Sequence, residues 1–134
     1  MAEVEIREPR VDEWGAIQSF LLAEGKGSRL GDRPYFDRLM RGSHKLVVAV
    51  DTAGDIVGFA RSISDGVSNG YVSLMQVRFD RRREGIGAKI LHELVTDDPK
   101  VTWVLRAAPD SREFWTKMGF SPSTWAMERL RKSG

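Results

Sequence analysis

Residues 81–91, RRREGIGAKIL, combine clustered positive charge with two closely spaced glycines. An anion such as phosphate can approach a backbone that carries no side chain, and the first N–H groups of a helix are free to bind it. The apolar residues that follow Gly87 predict that a helix begins in this stretch. A plain strand-to-helix turn beside a solvated basic face would give the same pattern, so the rest of the chain must distinguish the two.

Two common nucleotide-binding motifs do not fit this stretch. A dinucleotide-binding loop needs a third glycine, but that position holds Ile90. A P-loop needs Gly-Lys followed by Ser or Thr, whereas Gly87 is followed by Ala88 and Lys89. Phosphate binding is therefore an expectation that depends on the neighbouring elements.

Composition limits the class of protein. The 134 residues favour a single domain, 1–134, and the net charge of +2 is far below that of a protein that coats nucleic acid. Because the chain has no cysteine, it has no disulfide and no thiolate metal site, and we expect no metal. No apolar stretch approaches the roughly 20 residues of a membrane span, and the charged N-terminus does not resemble a signal peptide. We therefore expect a cytoplasmic protein with no nucleic-acid or membrane partner.

Hydrophobic periodicity predicts most of the secondary structure. Strands are predicted at 4–7, 45–50, 55–63, 71–79, 101–107 and 125–130. Helices are predicted after Asp12, at about 35–41, from Gly85 to about position 96, and at 111–118. The order β-α-α-β-β-β-α-β-α-β predicts one α/β (α+β) domain with a mostly antiparallel mixed sheet, flanking helices and one βαβ crossover at the glycine loop.

Two motifs in this order resemble those of the GNAT acyltransferase superfamily. Arg82-x-x-Gly85-x-Gly87, between a long strand and an amphipathic helix, resembles its acetyl-CoA signature. The segment FWTKMGF at 114–120 resembles its aromatic-aromatic-x-Lys-x-Gly-Phe segment. The resemblance covers essentially the whole chain and implies a GNAT-like fold and acetyl transfer from acetyl-CoA to a primary amine of a small molecule or peptide. The alternative is an acyl-CoA-binding sensor with little or no turnover.

The chain departs from the family pattern at three positions. Arg83 stands where the family often has glycine, and Ala108 stands about where an asparagine often follows the strand. Trp115 aligns with the tyrosine that commonly protonates the departing CoA thiolate. An indole N–H cannot act as an acid near neutral pH, so Tyr71, Ser111 or water would have to replace it. Trp115 is also the best support for the sensor alternative.

The resemblance implies a cofactor site along the third long strand and the glycine loop. The backbone of Met75 and Val77 would pair with the pantetheine arm, and the Val77 N–H would polarise the thioester carbonyl. The other cofactor-binding residues that the resemblance implies are Arg82, Arg83, Glu84, Gly85, Ile86, Gly87, Ala88, Lys89, Phe114 and Trp115.

An amine nucleophile must lose a proton, so the site needs a base. We predict that His44 and His92 lie on the surface instead. Glu24 and Asp65 are the candidate bases, because each lies near the end of a helix or strand that faces the expected cleft. A solvated helix end and a turn are the alternative interpretations of these two positions, and residues 24–32 could form a lid over the substrate. The acceptor amine and the formation of a homodimer are left open.

Overall fold

A five-stranded sheet with helices on both faces forms the protein in a computed structural model that describes residues 3–27, 30–95 and 99–132. The strands are β1 (Val4–Arg7), β2 (Lys45–Asp51), β3 (Ile56–Ser64), β4 (Asn69–Val77) and β5 (Thr102–Leu105). The helices are α1 (Trp14–Ala23), α2 (Arg33–Arg41), α3 (Ile86–Leu94) and α4 (Arg112–Lys117). Short 3-10 turns precede α1, α3 and α4.

The strands lie in the order in which they occur in the chain. Three neighbouring pairs are antiparallel, and only β4 and β5 are parallel, joined by a crossover through α3. This confirms the predicted mixed sheet with a crossover at the glycine loop. Within the described residues, no helix has the length and apolar character needed to cross a membrane.

Alternation along the strands produces a core on each face of the sheet. One core joins α1 and α2 to side chains such as Val48 and Phe59. The other joins α3 to Val47, Ala49 and Ala60, with Trp115 of α4 packed against it. The α1–α2 face and the α3 face of the sheet are therefore chemically separate, and each residue of β3 and β4 points to one of them.

The predicted last strand, 125–130, is wrong. In the described part of the chain after α4 there is no strand, and Trp125 and Met127 are 92% and 97% exposed. The alternating apolar residues are typical of a strand, but a strand also needs a neighbouring strand to pair with. This segment instead contacts the end of β5 through an ion pair between Arg106 and Glu128 at 2.8 Å.

Candidate active site

Strand β5 pairs with only the first four residues of β4. The pairing runs from Asn69 opposite Thr102 to Val72 opposite Leu105, where β5 ends while β4 continues to Val77. Residues 73–77 therefore have no neighbouring strand on the β5 side within the described ranges. The sheet is open along this edge, next to the glycine loop that follows.

An extra residue in β4 lies where the two strands separate. Ser62 of β3 is opposite Val72 and Arg61 is opposite Leu74, which leaves Ser73 without a partner. A bulge of this kind bends a strand and increases its twist. The bend turns the second half of β4 away from β5.

The main chain of β4 directs Met75 and Val77 toward the open edge. The N–H of Arg78 donates to the carbonyl of Val57 at 2.8 Å, so Arg78 faces β3. The direction of the main-chain N–H and C=O groups alternates along an antiparallel pair. Those of Gln76 therefore also point toward β3, whereas those of Met75 and Val77 point to the opposite side. The Val77 carbonyl accepts from the Gln76 side chain at 3.2 Å. The Val77 N–H is thus directed into the opening, where an extended ligand can pair with it.

The glycine loop turns the chain sharply into α3. Arg83 and Gly85 both have left-handed backbone angles, with φ of 68° and 82°. The first helical hydrogen bond runs from the Lys89 N–H to the Gly85 carbonyl at 3.1 Å, so the N–H groups of residues 86–88 have no helical acceptor. The conformation at Arg83 explains why glycine is common at this position of the family motif.

The two sequence motifs meet at the start of α3. A Cβ atom on Gly87 would lie 3.2 Å from the Phe114 ring, so the missing side chain lets that ring pack against the helix. Trp115 makes edge contacts with Phe114 and Phe120, at ring-centroid distances of 4.9 and 5.5 Å. Trp115 is half-buried in this aromatic cluster, and packing alone accounts for a tryptophan there.

Two of the clustered arginines are held by carboxylates. Arg81 contacts Glu84 at 3.0 Å and Asp51 at 3.7 Å, and its side chain is only 12% exposed. Arg78 contacts Asp80 at 2.7 Å, which raises the pKa of the Arg78 guanidinium. The Arg81–Asp51 pair fastens the loop to the end of β2, and the pairs together neutralise much of the loop's positive charge.

The other two arginines have their charge available. Both Arg82 and Arg83 are exposed, and neither forms an ion pair with a carboxylate in the described part of the chain. Arg82 lies over the ring of Phe79 at 5.1 Å. In this loop Arg81 is held by ion pairs, while Arg82 and Arg83 pair with no described carboxylate and lie near the unpaired N–H groups at the start of α3. This arrangement is suited to binding phosphate.

Glu24 lies at the open end of β4. It follows the last residue of α1, and its Oε1 accepts hydrogen bonds from the Phe79 N–H at 3.0 Å and the Gln76 side chain at 3.2 Å. Gln76 is buried, at 6% exposure. A half-buried carboxylate is thereby held within one residue of Val77 along β4. Sequence reasoning missed Gln76, whose signal was a polar residue at an inward position of a mostly apolar strand.

The Asp65 carboxylate forms its hydrogen bonds within the turn between β3 and β4. Its carboxylate accepts from the N–H groups of Val67, Ser68 and Asn69 and from the Ser68 hydroxyl. The Ser68 bonds and the backbone bonds hold the pKa of Asp65 well below its usual range. This turn lies at the far end of β4 from Val77, at a distance of roughly 25 Å by strand rise. The contacts argue against the predicted base role of Asp65 and favour the turn interpretation.

Other sequence-based expectations have mixed outcomes. His44 and His92 are exposed, as predicted. The Ser111 hydroxyl donates to the Ala108 carbonyl at 2.8 Å, in a local turn rather than toward the open edge. The predicted lid, residues 24–32, includes positions 28 and 29, which lie outside the described residues.

Comparison with known proteins connects this geometry to a family. The model of the acetyltransferase (GNAT) domain family matches residues 28–130. No curated protein sequence matches the chain significantly.

Solved structures share the fold at low sequence identity. An acetyltransferase assigned to the GNAT family from Xanthomonas campestris is 21% identical with a TM-score of 0.79, covering 98% of this chain and 95% of its own. The glucosamine-6-phosphate N-acetyltransferase of Arabidopsis thaliana is 16% identical with a TM-score of 0.75, with coverages of 97% and 99%. An aminoglycoside N-acetyltransferase in complex with CoA is 10% identical with a TM-score of 0.74, with coverages of 99% and 97%.

Proposed function

This chain belongs to the GNAT acetyltransferase family and is an acyltransferase, and we propose that it works in the cytoplasm and transfers an acetyl group from acetyl-CoA to a primary amine of a small molecule or peptide. The observation that carries the proposal is the open edge of β4, which leads directly into the glycine loop at the start of α3. One continuous surface thus offers main-chain groups for an extended arm and then N–H groups and cations for phosphate.

The cofactor-facing residues suit the parts of CoA in order along the chain. The main chain of Met75 and the carbonyl of Val77 would pair with the amide groups of the pantetheine arm, as an added strand would, which leaves the Val77 N–H for the thioester carbonyl. The N–H groups of residues 86–88 and the side chains of Arg82 and Arg83 would bind the phosphates. Two of the similar structures are N-acetyltransferases by name, one of them in complex with CoA, which supports an amine as acceptor.

The chemistry that this arrangement supports is direct transfer. Acetyl-CoA supplies a thioester, and the amine nitrogen forms a bond to its carbonyl carbon as the carbon–sulfur bond breaks. The Val77 N–H donates to the carbonyl oxygen while negative charge develops there. Glu24, directly or through water, accepts the proton that the amine must lose.

Protonation of the leaving thiolate does not need a side chain in this proposal. A thiol has a pKa of roughly 8.5 in water, so its thiolate is a tolerable leaving group that can take its proton from solvent. Trp115, at the position where the family commonly has tyrosine, holds the aromatic cluster together instead. Turnover is therefore expected without a dedicated acid.

A thiol-release assay with acetyl-CoA and a panel of amines tests the proposal, run beside calorimetry of CoA binding. Release of CoA that depends on an amine, with the acetylated amine found by mass spectrometry, would support it. Absence of CoA binding would overturn it. Binding without turnover across a broad panel would instead favour the sensor alternative.

Neutralising the two free arginines should weaken CoA binding. We expect Arg82→Gln combined with Arg83→Gly to raise the Kd for CoA by about 2- to 30-fold, since exposed charge pairs contribute about 0.2–1 kcal/mol each. Glycine suits the left-handed backbone at position 83, so the loop keeps its conformation. Calorimetry at two salt concentrations measures the effect, which should shrink as salt screens the phosphates.

Pantetheine and Arg78→Gln are the controls for this prediction. Pantetheine has no phosphate, so its affinity should be the same for the double variant and the original protein. Arg78 already pairs with Asp80 and should matter little for CoA. An equal loss of affinity for pantetheine and CoA would show that the substitutions had damaged the fold rather than a phosphate site.

A further inference from the structure

A cavity of about 280 Å³ lies between α2 and β3, on the α1–α2 face of the sheet. It is lined by Tyr35, Arg38, Leu39, Gly42 and Arg61. Two of these five residues are cationic and none is acidic. The cavity is therefore positively charged and separate from the α3 face, where the glycine loop lies.

Arg61 is buried without an acidic partner. The residue is 8% exposed, and its Nε and Nη1 atoms donate to the hydroxyls of Ser43 and Ser73 at 2.8 and 2.7 Å. It forms no ion pair with a described residue, and burial lowers the pKa of its guanidinium. A guanidinium has five N–H donors, and these two bonds leave three for another acceptor.

A buried cation without a counter-ion is costly unless something compensates for it. Two neutral hydroxyls satisfy hydrogen bonds but supply no opposite charge. The planar guanidinium is the side chain best shaped to bind the two oxygens of a carboxylate or phosphate. Arg38, at the exposed rim, lies over the Tyr35 ring at 5.7 Å and adds a second positive charge.

The cavity is placed to hold the acceptor rather than CoA. Phe59 and Arg61 are two residues apart on β3, so both side chains lie on the α1–α2 face. Gln76 is opposite Phe59 and binds Glu24 on that same face. Ser73, which Arg61 contacts, is three residues from Gln76, or about 10 Å along the strand. The cationic cavity and the carboxylate of Glu24 thus lie on one face, on either side of Leu74.

We propose that this cavity binds an anionic group of the acceptor substrate, a carboxylate or a phosphate, while the amine of the same molecule points toward Glu24. The inference rests on the proposed acetyl transfer and names the class of acceptor. The two arginines repel an ammonium group, so they orient such a substrate with its anion in the cavity and its amine at the open edge of β4. The two ends are about 10 Å apart by strand rise, so an acceptor with several bonds between its amine and its anion would span them.

Matched amines test the preference. We would compare kcat/KM for glycine, β-alanine, 4-aminobutyrate and 5-aminovalerate with the values for the corresponding amides, and O-phosphoethanolamine with ethanolamine. The anionic member of at least one pair is expected to be preferred by about 10- to 100-fold, mostly through KM. The carboxylate and phosphate pairs then show which anion the cavity takes.

Variants connect the preference to the cavity. Arg61→Gln should reduce the acid-to-amide ratio to near one, and Arg61→Lys should leave an intermediate ratio because the charge stays and the planar donors are lost. Arg38→Gln, at an exposed position where folding is not at risk, should reduce the ratio by a few-fold. Arg33→Gln is the matched control, since Arg33 lies on the same helix but pairs with Asp37 at 2.7 Å outside the cavity. A merely structural Arg61 would lower turnover of both members of a pair and leave the ratio unchanged.

Direct binding gives a readout that does not need turnover. In the CoA-bound protein, the NMR signal of the Arg61 Nε–H, assigned by its loss in Arg61→Lys, should shift with 5-aminovalerate or O-phosphoethanolamine but not with 5-aminovaleramide. No shift with either anion would overturn the inference. So would turnover of amines with no preference for the anionic member, and the proposed acetyl transfer would then stand. Absence of CoA binding in calorimetry would instead count against the proposed function itself.

Discussion

Glu24→Gln is expected to lower kcat/KM by about 10²- to 10³-fold, because a positioned base contributes on that order to proton transfer. The substitution isolates basicity from structure, since a glutamine Oε1 can still accept from the Phe79 N–H and the Gln76 side chain. The defect should shrink as the pH rises toward about 10, where a substantial fraction of an alkylamine with a pKa of roughly 10.4 is already deprotonated. Rate–pH profiles of the two proteins, with one amine substrate, measure both effects.

Asp65→Asn is the matched control for the choice between the two carboxylates. Because the Asp65 carboxylate bonds within its own turn and to no other described residue, the variant should lose thermal stability while its kcat/KM stays within about 3-fold. Equal activity of Glu24→Gln and the original protein at neutral pH would remove Glu24 from the mechanism. A large loss with Asp65→Asn would restore Asp65 to it.

Replacing the Val77 amide N–H with an ester oxygen is expected to lower kcat by about 10²- to 10³-fold, the typical effect of removing one oxyanion-site donor. The change is made by incorporating the α-hydroxy analogue of valine, which keeps the side chain. Since this N–H faces the open edge rather than β3, thermal stability and the Kd for free CoA should change little. Single-turnover kinetics and calorimetry separate the chemical step from binding.

The same replacement at Arg78 provides the control. The Arg78 N–H donates to the Val57 carbonyl, so its loss should lower stability and leave kcat within a few-fold. If Val77 behaved like Arg78, with lower stability and normal kcat, then its N–H would not serve the thioester carbonyl. The pair of variants therefore tests whether the N–H of Val77 points to the open edge while the N–H of Arg78 points to β3.

Local sequence was sufficient for most elements and for the glycine loop. Helix and strand periodicity is a short-range property, and a loop such as Gly85–x–Gly87 carries its backbone requirements in its own residues. Predicting the strand at 125–130 failed because a strand depends on a partner elsewhere in the chain.

The acceptor side of the site depended on long-range contacts that local patterns do not encode. Glu24 and Asp65 were equivalent candidates in the sequence. Their contacts separate them, because Glu24 pairs with Gln76, 52 residues away, whereas Asp65 is bonded within its own turn. Arg61 was read as one more residue of a strand. Its partners Ser43 and Ser73 are 18 and 12 residues away, and a bulge that periodicity does not reveal brings Ser73 to it.

Ser73 is the bulge residue of β4, and its removal would change the shape of the sheet. The residue is inserted between two partners that would otherwise be consecutive, so a chain without it keeps Val72 opposite Ser62 and Leu74 opposite Arg61. The hydrophobic layers would still form, but β4 would run on straight, and the hydroxyl that holds Arg61 would be gone. We therefore expect deletion of Ser73 to remove the opening beside β5 while leaving both hydrophobic cores in place, so that this residue serves the site rather than the fold.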